Sequence, residues 1–250
     1  MDYPLEDSLD PGKNKIITSA FKHALTHSTR ETCGVFYWIN KLAGIFEFSL
    51  LKNSDTHDKT GFLVNDPFFY DLLFNDKIIS IFHSHIDSDP SLSPLDIEVS
   101  KSFNLPSFVF SLTNKESYLY YPSNYKAPPL QGRFFVPIFQ DCITFVKDFF
   151  DLNLNIKLSE HISDWSRKRY DSNNYLLSCI EKCFIEVPLF TIRTNDLVVM
   201  NPSIGHTFHL GVIVENELLY HHPLYGLPKK ELFHDIDINQ VYKVYRYKDL

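Results

Sequence analysis

Two histidines and an aspartate in the first half of the chain have the types and spacing of metal ligands. His83 and His85 flank one residue at the end of an apolar run that begins at Lys77, and such a run is typical of a buried strand. Because side chains alternate along a strand, both imidazoles point to the same face. Asp96 opens a helical pattern, and a carboxylate there can turn back to the histidines as a third ligand. Three protein ligands leave a fourth tetrahedral position for water, which is typical of catalytic zinc.

The pattern around these ligands resembles the signature of the JAMM metalloproteases, in which a distant glutamate precedes H-x-H, seven residues, a serine, two residues and an aspartate. Seven residues separate Ser93 from the second histidine, and Glu31 stands in the glutamate position at the start of an apolar run. The resemblance implies that Glu31 carries the proton of the activated water and that Ser93 helps to hold the tetrahedral oxyanion. The competing interpretation is two partly buried, hydrogen-bonded histidines without a metal.

A cysteine in the second half has the setting of a thiol nucleophile. Asp141 is a good N-cap residue and helical periodicity follows it, so Cys142 falls in the first turn of a helix. The positive end of the helix dipole favours the thiolate there. His209, near the start of an apolar strand, is the candidate base. A hairpin can bring His221, on the next strand, beside His209 to orient it.

Alternatives to this second site stay open at the sequence level. His222 is the alternative to His221 as the third member, because strand alternation lets only one of them face the site. For Cys142, the alternative is a buried structural thiol. Cys179 and Cys183 lie one helical turn apart and are predicted to be small core residues, so we expect no disulfide framework.

The second half resembles the NlpC-type cell-wall cysteine peptidases, which are papain-like hydrolases that cut peptide bonds in peptidoglycan stems. The resemblance rests on the Asp-Cys helix start, on the histidine strand with a polar residue on the next strand, and on the segment Asn195–Met200 that precedes them. It departs from the commonest family form, Asp-Cys-Ser-Gly, because Ile143 and Thr144 follow the cysteine here. The resemblance implies that Cys142 attacks a stem-peptide carbonyl with the two histidines as its partners.

Length, composition and charge limit the classes of protein to which this chain can belong. The chain has 250 residues, which is comfortable for two domains, and its hydrophobic fraction of 44% can fill sizeable cores. The formal net charge of -7 and the dispersed basic residues argue against nucleic-acid binding, and the short basic run Arg167–Arg169 is predicted to be a solvated helix face. We expect no membrane segment, because no apolar run is long enough, and no signal peptide, because the N-terminal stretch is acidic.

The order of predicted elements gives an α/β fold class in the broad α+β sense, with two domains. Residues 1–122 are predicted to form a JAMM-like mixed sheet flanked by helices, residues 123–133 a linker rich in proline and small polar residues, and residues 134–250 an NlpC-type α+β domain. The predicted elements of the first domain comprise a loose leader to about Asp10, helices at Asn14–Ser28 and Asp66–Phe74, strands at Cys33–Asn40, Gly44–Lys52, Ser107–Leu112 and Tyr118–Tyr121, and a polar loop at Asn53–Lys59.

The combination of the two halves resembles the tail tip proteins of long-tailed bacteriophages, of the tail protein K type. The resemblance implies a peptidoglycan hydrolase that opens the wall locally so that the genome can pass, with a second, zinc-dependent peptidase or isopeptidase site. It also implies peptidoglycan stem peptides and other tail tip proteins as partners, and assembly in the host cytoplasm followed by residence in the virion tail tip. Two alternatives remain: a structural tail-tip assembly protein with inactive or processing-only sites, and a bacterial JAMM isopeptidase.

Overall fold

The structure, a computed structural model, describes residues 11–27, 29–54, 64–158, 173–201, 208–223 and 226–250. The chain divides into two compact units, residues 12–126 and residues 127–250. Helices and a sheet occur in each unit, so the predicted α+β class is confirmed. The predicted leader, most of the predicted polar loop and the basic run lie outside the described residues. In the described part of the chain, no helix is long and apolar enough to cross a membrane.

The unit 12–126 is built on a mixed sheet that has five strands among the described residues, in the order β2-β1-β3-β4-β5. Only the β3–β4 pair of this described sheet is parallel, and the other neighbours are antiparallel. The elements are α1 (Pro11–Thr26), β1 (Cys33–Asn40), β2 (Ile45–Leu51), α2 (Pro67–Phe74), β3 (Ile78–His85), α3 (Pro94–Phe103), β4 (Ser107–Ser111) and β5 (Ser117–Tyr120).

Both faces of this sheet are covered by helices. On one face, Phe69 of α2 packs with Val35 of β1 and Ile81 of β3 in a buried apolar cluster. On the other face, the ring of Phe21 in α1 stacks on Phe110 of β4, with centroids 4.3 Å apart. Because β3 is buried on both faces, its sequence up to the histidines is apolar except for the buried Ser80.

Helix α3 begins earlier than its predicted start at Asp96. Ser93 is the N-cap and Pro94 is the first helical residue. Proline fits the first helical position because its missing N–H has no partner to lose there. The correction moves Asp96 to the third position of the first turn, where its carboxylate completes a capping box with Ser93.

The unit 127–250 is built on an antiparallel sheet with six strands among the described residues, in the order β10-β9-β8-β7-β11-β6. Its elements are α4 (Cys142–Leu154), α5 (Asn173–Cys183), β6 (Phe184–Val187), β7 (Leu197–Met200), β8 (His209–Val214), β9 (Leu218–His221), β10 (Lys229–Leu232) and β11 (Val241–Tyr247).

The two faces of this second sheet carry separate apolar clusters. The larger cluster joins α4 and α5 to one face, where Leu210, Val212 and Tyr220 contribute. The smaller cluster lies on the other face and includes Ile213 and Leu219. Its members alternate along β8 and β9 with those of the larger cluster, as strand geometry requires. The larger cluster also contains Cys142, Cys179 and Cys183, and these three cysteines and Cys33 are buried and form no disulfide.

The last part of the predicted linker packs within the unit 127–250. Arg133 is buried, its guanidinium donates to Asp148 of α4 at 2.7 Å, and its Nε donates to the carbonyl of Pro129 at 3.0 Å. The carbonyl of Pro128 accepts a further hydrogen bond from Arg133. The proline-rich composition predicts an open connection, but it does not reveal that an arginine at its end ties the segment to α4.

Candidate active sites

A buried cluster of His83, His85 and Asp96 lies where β3 ends and α3 begins. His83 Nε2 is 3.2 Å from His85 Nε2 and 3.3 Å from Asp96 Oδ1. His85 Nε2 is 3.6 Å from Asp96 Oδ2. Each side chain offers one ligand atom, and these atoms all lie within 4.8 Å of one another, so the cluster could hold a metal ion. These are the three residues that the sequence predicts as ligands.

Neighbouring groups determine which atoms of these three side chains face the cluster and shift their pKa values. His85 Nδ1 lies 2.8 Å from the carbonyl oxygen of Asp89. A carbonyl can only accept, so Nδ1 carries the hydrogen and Nε2 keeps its lone pair for the cluster. Burial lowers the pKa of His83, and Asp96 offsets this only in part. Burial would raise the pKa of Asp96, but the neighbouring imidazoles of His83 and His85 outweigh burial and hold that pKa below its ordinary value.

Ser93 donates two hydrogen bonds to the carboxylate of Asp96. Its hydroxyl donates to Asp96 Oδ2 at 2.7 Å and its backbone N–H donates to the same oxygen at 2.8 Å. In return, the backbone N–H of Asp96 donates to Ser93 Oγ at 3.2 Å. The structure therefore gives Ser93 a definite task, which is to begin α3 and to fix the carboxylate that faces the two histidines.

Glu31 is buried and lies two residues before β1. The segment is held to β3 by Thr32, whose N–H donates to Ser84 Oγ at 3.0 Å and whose carbonyl accepts from the Ser84 N–H at 3.0 Å. Asn53 Nδ2 donates to the Glu31 carbonyl at 3.0 Å. Burial lowers the pKa of His85, but hydrogen bonds to its neighbours and the charge of Glu31 raise it overall, so the Glu31 carboxylate acts electrostatically on this cluster.

The second candidate site begins at the N-terminus of α4. Asp141 is the N-cap, as predicted, and its Oδ1 accepts from the N–H groups of Ile143 at 2.9 Å and Thr144 at 3.1 Å. Its Oδ2 accepts from the N–H of Ile138 at 2.8 Å, and Ile138 has a φ of 73°. A β-branched residue is strained at positive φ, so the carboxylate of Asp141 holds a strained turn just before Cys142.

His209 and His221 form a close imidazole pair. β8 begins at His209, β9 ends at His221, and His209 Nε2 lies 2.7 Å from His221 Nδ1. Gly211 pairs with His221 across the two strands, and a Cβ on this glycine would meet Leu219 at 2.7 Å and His221 at 3.0 Å. Glycine therefore makes room for the pair. Burial and the charges of neighbouring groups lower the pKa of His209 to about 3, and burial lowers the pKa of His221.

His222 points away from this pair. Its ring lies 5.3 Å from Phe135 and 6.0 Å from Phe145, between centroids, and its Nε2 is 3.2 Å from the carbonyl of Gly226. It is fully buried, and burial lowers its pKa to about 4. Of the two alternatives left by the sequence, His221 is the one whose geometry joins it to His209.

Cys142 is the first residue of α4, and α4 packs on the face of the sheet that carries Tyr220. The rings of Phe145 and Phe149 lie 4.8 Å and 6.4 Å from Tyr220. Alternation places His221 on the other side of β9 from Tyr220. The structure thus joins the two imidazoles to each other on the face of the sheet opposite to α4. The proposal below therefore requires the thiol at the start of α4 to reach His209 past the strand ends, where β8 begins and β9 ends.

Glu231 is a partner of His221 that the sequence analysis missed. Glu231 Oε1 lies 2.9 Å from His221 Nε2, and Glu231 Oε2 lies 2.6 Å from Lys229 Nζ. The run that contains both, Lys-Lys-Glu-Leu, has the composition of an exposed surface segment. The signal that could have found Glu231 is alternation along β10, because Lys229 pairs with His221 and Glu231 follows on the same face.

Comparison with known proteins supports a phage tail protein as the class of this chain. In particular, the chain is 25% identical over 241 residues to the tail tip assembly protein K of Escherichia phage N15. The aligned region covers 95% of this chain and 96% of that protein, so the similarity extends over both units. No family model matches the chain.

Proposed function

We propose that this chain is a phage tail tip protein that cleaves peptidoglycan stem peptides through Cys142, His209 and His221. The observation that carries the catalytic proposal is the 2.7 Å contact between His209 Nε2 and His221 Nδ1, in a unit whose first described helix begins at Cys142. A paired imidazole is what a cysteine nucleophile needs as an oriented base. The tail location is supported by the similarity to the phage N15 protein, which is named for tail tip assembly.

In this mechanism the thiol proton of Cys142 passes to His209 and the thiolate attacks a stem-peptide carbonyl. The N-terminus of α4 favours the thiolate, and the backbone N–H of Cys142 donates to the oxyanion that forms. His209 then delivers its proton to the leaving amine, and water hydrolyses the thioester. His221 holds the ring of His209 and shares the positive charge that His209 gains.

The test is release of soluble stem peptides from purified peptidoglycan, measured by mass spectrometry. We expect the purified chain to release them and Cys142→Ala to release none. Cys179→Ala, which removes a fully buried thiol of the same unit, serves as the matched control and should retain activity. A chelator should leave the release largely intact. Full activity of Cys142→Ala would remove the thiol mechanism.

We further propose that His83, His85 and Asp96 hold a zinc ion. Zinc bonds of about 2.0–2.1 Å place neighbouring ligand atoms of a tetrahedron about 3.3–3.4 Å apart. The three observed separations of 3.2, 3.3 and 3.6 Å suit that geometry. When bound, the ion would supply a Lewis acid that acidifies a water molecule and polarises a carbonyl.

The protein groups around the zinc ligands have separate roles in this proposal. Glu31 accepts the proton of the attacking water and later returns it to the leaving amine. Ser93 can donate to the oxyanion only by releasing its 2.7 Å hydrogen bond to Asp96, so its first role is to orient that carboxylate. The substrate class proposed for this centre is a peptide or isopeptide bond, with the stem-peptide cleavage assigned to Cys142.

A second candidate function is tail-tip assembly without catalysis, and the name of the phage N15 relative favours it. The two functions differ in what a phage requires. If virions form and infect normally with both Cys142→Ala and Glu31→Gln, while deletion of the whole gene prevents tail formation, assembly is the function. If virions form but wall opening is lost, the hydrolase is the function.

A further inference from the structure

A row of three polar side chains crosses the strands β8, β9 and β10 on one face of the second sheet. His209 lies on β8, His221 on β9 and Glu231 on β10. The His209 Nε2–His221 Nδ1 separation is 2.7 Å and the His221 Nε2–Glu231 Oε1 separation is 2.9 Å. We propose, resting on the proposed cysteine peptidase function, that Glu231 is a positioning residue that sets the tautomers of both histidines, so that the basic nitrogen of His209 is Nδ1, the nitrogen that the proposed mechanism uses.

The argument begins at the carboxylate, because it can only accept hydrogen bonds. Glu231 Oε1 lies 2.9 Å from His221 Nε2, which is hydrogen-bond distance, and the two groups are not aligned for a full hydrogen bond in this structure. This contact places the hydrogen of neutral His221 on Nε2. His221 Nδ1 then has a lone pair and no hydrogen.

The tautomer of His221 dictates that of His209. Because His221 Nδ1 accepts, the hydrogen in the 2.7 Å contact comes from His209 Nε2. Neutral His209 then has its lone pair on Nδ1, the nitrogen that does not face His221. A general base needs a lone pair, and in this arrangement Glu231 places the free lone pair of His209 on Nδ1. Without Glu231, the opposite tautomers are equally available, and they place a hydrogen on His209 Nδ1.

Glu231 also supports the charged form of the pair. When the thiol proton of Cys142 moves to His209 Nδ1, the pair becomes positive, and His221 lies between that charge and the carboxylate. Lys229 Nζ, 2.6 Å from Glu231 Oε2, holds the carboxylate in place. Burial would raise the pKa of Glu231, but Lys229 and His221 lower it overall, so Glu231 is ionised at neutral pH.

The experiment compares Glu231→Ala and Glu231→Gln with the wild-type chain in stem-peptide release. We expect Glu231→Ala to lower kcat by at least about tenfold with KM little changed, as removal of an outer partner of a functional histidine does. Glu231→Gln should recover much of this loss, because the amide oxygen still accepts from His221 Nε2. Glu186→Ala is the matched control, since Glu186 forms a Lys–Glu contact of the same 2.6 Å length with Lys243 on the same sheet.

A tautomer measurement separates this inference from the proposed function and from a folding defect. Nitrogen NMR of the histidine rings should show hydrogen on His221 Nε2 and His209 Nε2 in the wild-type chain, and a change of both in Glu231→Ala. Unchanged tautomers in Glu231→Ala, or wild-type kcat in that variant, would overturn the role of Glu231. Absence of any Cys142-dependent release, with the tautomers shifting as expected, would instead overturn the proposed function and leave the tautomer relay standing.

Discussion

Single hydrogen bonds determine which atom of each candidate site residue faces its partners. The Asp89 carbonyl fixes the hydrogen of His85 on Nδ1, and the Ser93 hydroxyl fixes one oxygen of Asp96. Such contacts orient ligands before any ion is present, which lowers the cost of binding. The identity of Asp96 follows from sequence spacing, but the role of Asp89 depends on the path of a loop that spacing does not describe.

The first prediction at the residue scale concerns Glu31. Glu31→Gln should keep the zinc content of the purified chain, because Glu31 is a proton carrier and not a ligand in the proposed mechanism. Zinc-dependent peptide cleavage should fall by about two to four orders of magnitude, the usual contribution of a positioned general base. Elemental analysis and cleavage of cross-linked wall peptides, both in a Cys142→Ala background, measure the two quantities.

Glu98→Gln is the control for Glu31→Gln, because Glu98 is an exposed carboxylate on α3 near the same cluster. It should change neither zinc content nor cleavage. If zinc is bound and no cleavage depends on Glu31, the unit 12–126 is a binding or assembly unit and not a peptidase.

At the scale of elements, helix starts position both candidate sites. α3 begins one residue after Ser93, and α4 begins one residue after Asp141. In each case a capping box fixes the first turn, and the functional side chain lies within that turn. The cap of α4 is recognisable from the sequence alone, whereas the cap of α3 at Ser93 emerges only from the structure.

The second prediction concerns the cap of α4. Asp141→Ala removes the acceptor for the N–H groups of Ile138, Ile143 and Thr144, all in a buried setting. The loss of a cap and of a buried acceptor should lower the free energy of unfolding by about 2–4 kcal/mol. Urea denaturation of the unit 127–250 within the full chain measures it.

Asp66→Ala is the comparison for Asp141→Ala, because Asp66 caps the partly exposed α2 through one hydrogen bond to Phe68. It should cost about 1 kcal/mol. Equal losses of unfolding free energy in the two variants would show that the cap of α4 stabilises the fold no more than an ordinary helix cap does.

The elements that sequence predicts well are those with a local signal. The helix start at Asp141, the strand that ends in His85 and the hairpin that joins His209 to His221 were all predicted, because caps, apolar runs and spacing are written in neighbouring residues. Glu231 and Arg133 were missed because no cap, apolar run or known motif marks their partners in the sequence. Pairing of β10 with β9 and burial of a guanidinium depend on the assembled fold, which composition does not encode.

At the scale of the whole molecule, the chain consists of two compact units with separate apolar cores. The candidate metal cluster belongs to one unit and the Cys142 site to the other. The similarity to the phage N15 protein extends over both units.

The third prediction concerns metal removal. A His83→Ala, His85→Ala double variant should lose about one equivalent of zinc and lower the thermal midpoint of the unit 12–126, because ion binding stabilises only the folded state. The midpoint of the unit 127–250 should stay unchanged, because its core contains none of the ligands. Elemental analysis and calorimetry measure these effects, and zinc retained by the double variant would rule out the site.

The fourth prediction concerns pH. His209 and His222 have folded-state pKa values of about 3 and about 4, below the ordinary 6.5. The unfolded chain therefore binds more protons than the folded chain between these values. Above pH 6.5 both histidines are neutral in the folded and the unfolded chain, and the free energy of unfolding is at its full value. As pH falls, protonation of the unfolded chain lowers the free energy of unfolding, by about 2–3 kcal/mol for each residue at pH 4.5.

Denaturant unfolding at pH 7 and pH 4.5 tests this pH dependence in a variant pair. His222→Phe should reduce the loss of stability on acidification, because phenylalanine does not titrate and can pack against Phe135 and Phe145. His234→Gln, which changes an exposed side chain, should leave the loss as in the wild-type chain. An equal loss of unfolding free energy between pH 7 and pH 4.5 in all three proteins would show that burial of His222 does not oppose its protonation.

The most direct test of the central claim asks whether Cys142 and His209 act as one catalytic centre. Stem-peptide release by the wild-type chain, Cys142→Ala, His209→Ala and the double variant forms a complete mutant cycle. We predict that each single variant falls to the same residual rate and that the double variant falls no further, because residues that act as a unit are not additive. Losses that multiply in the double variant, or full activity in Cys142→Ala, would contradict the account.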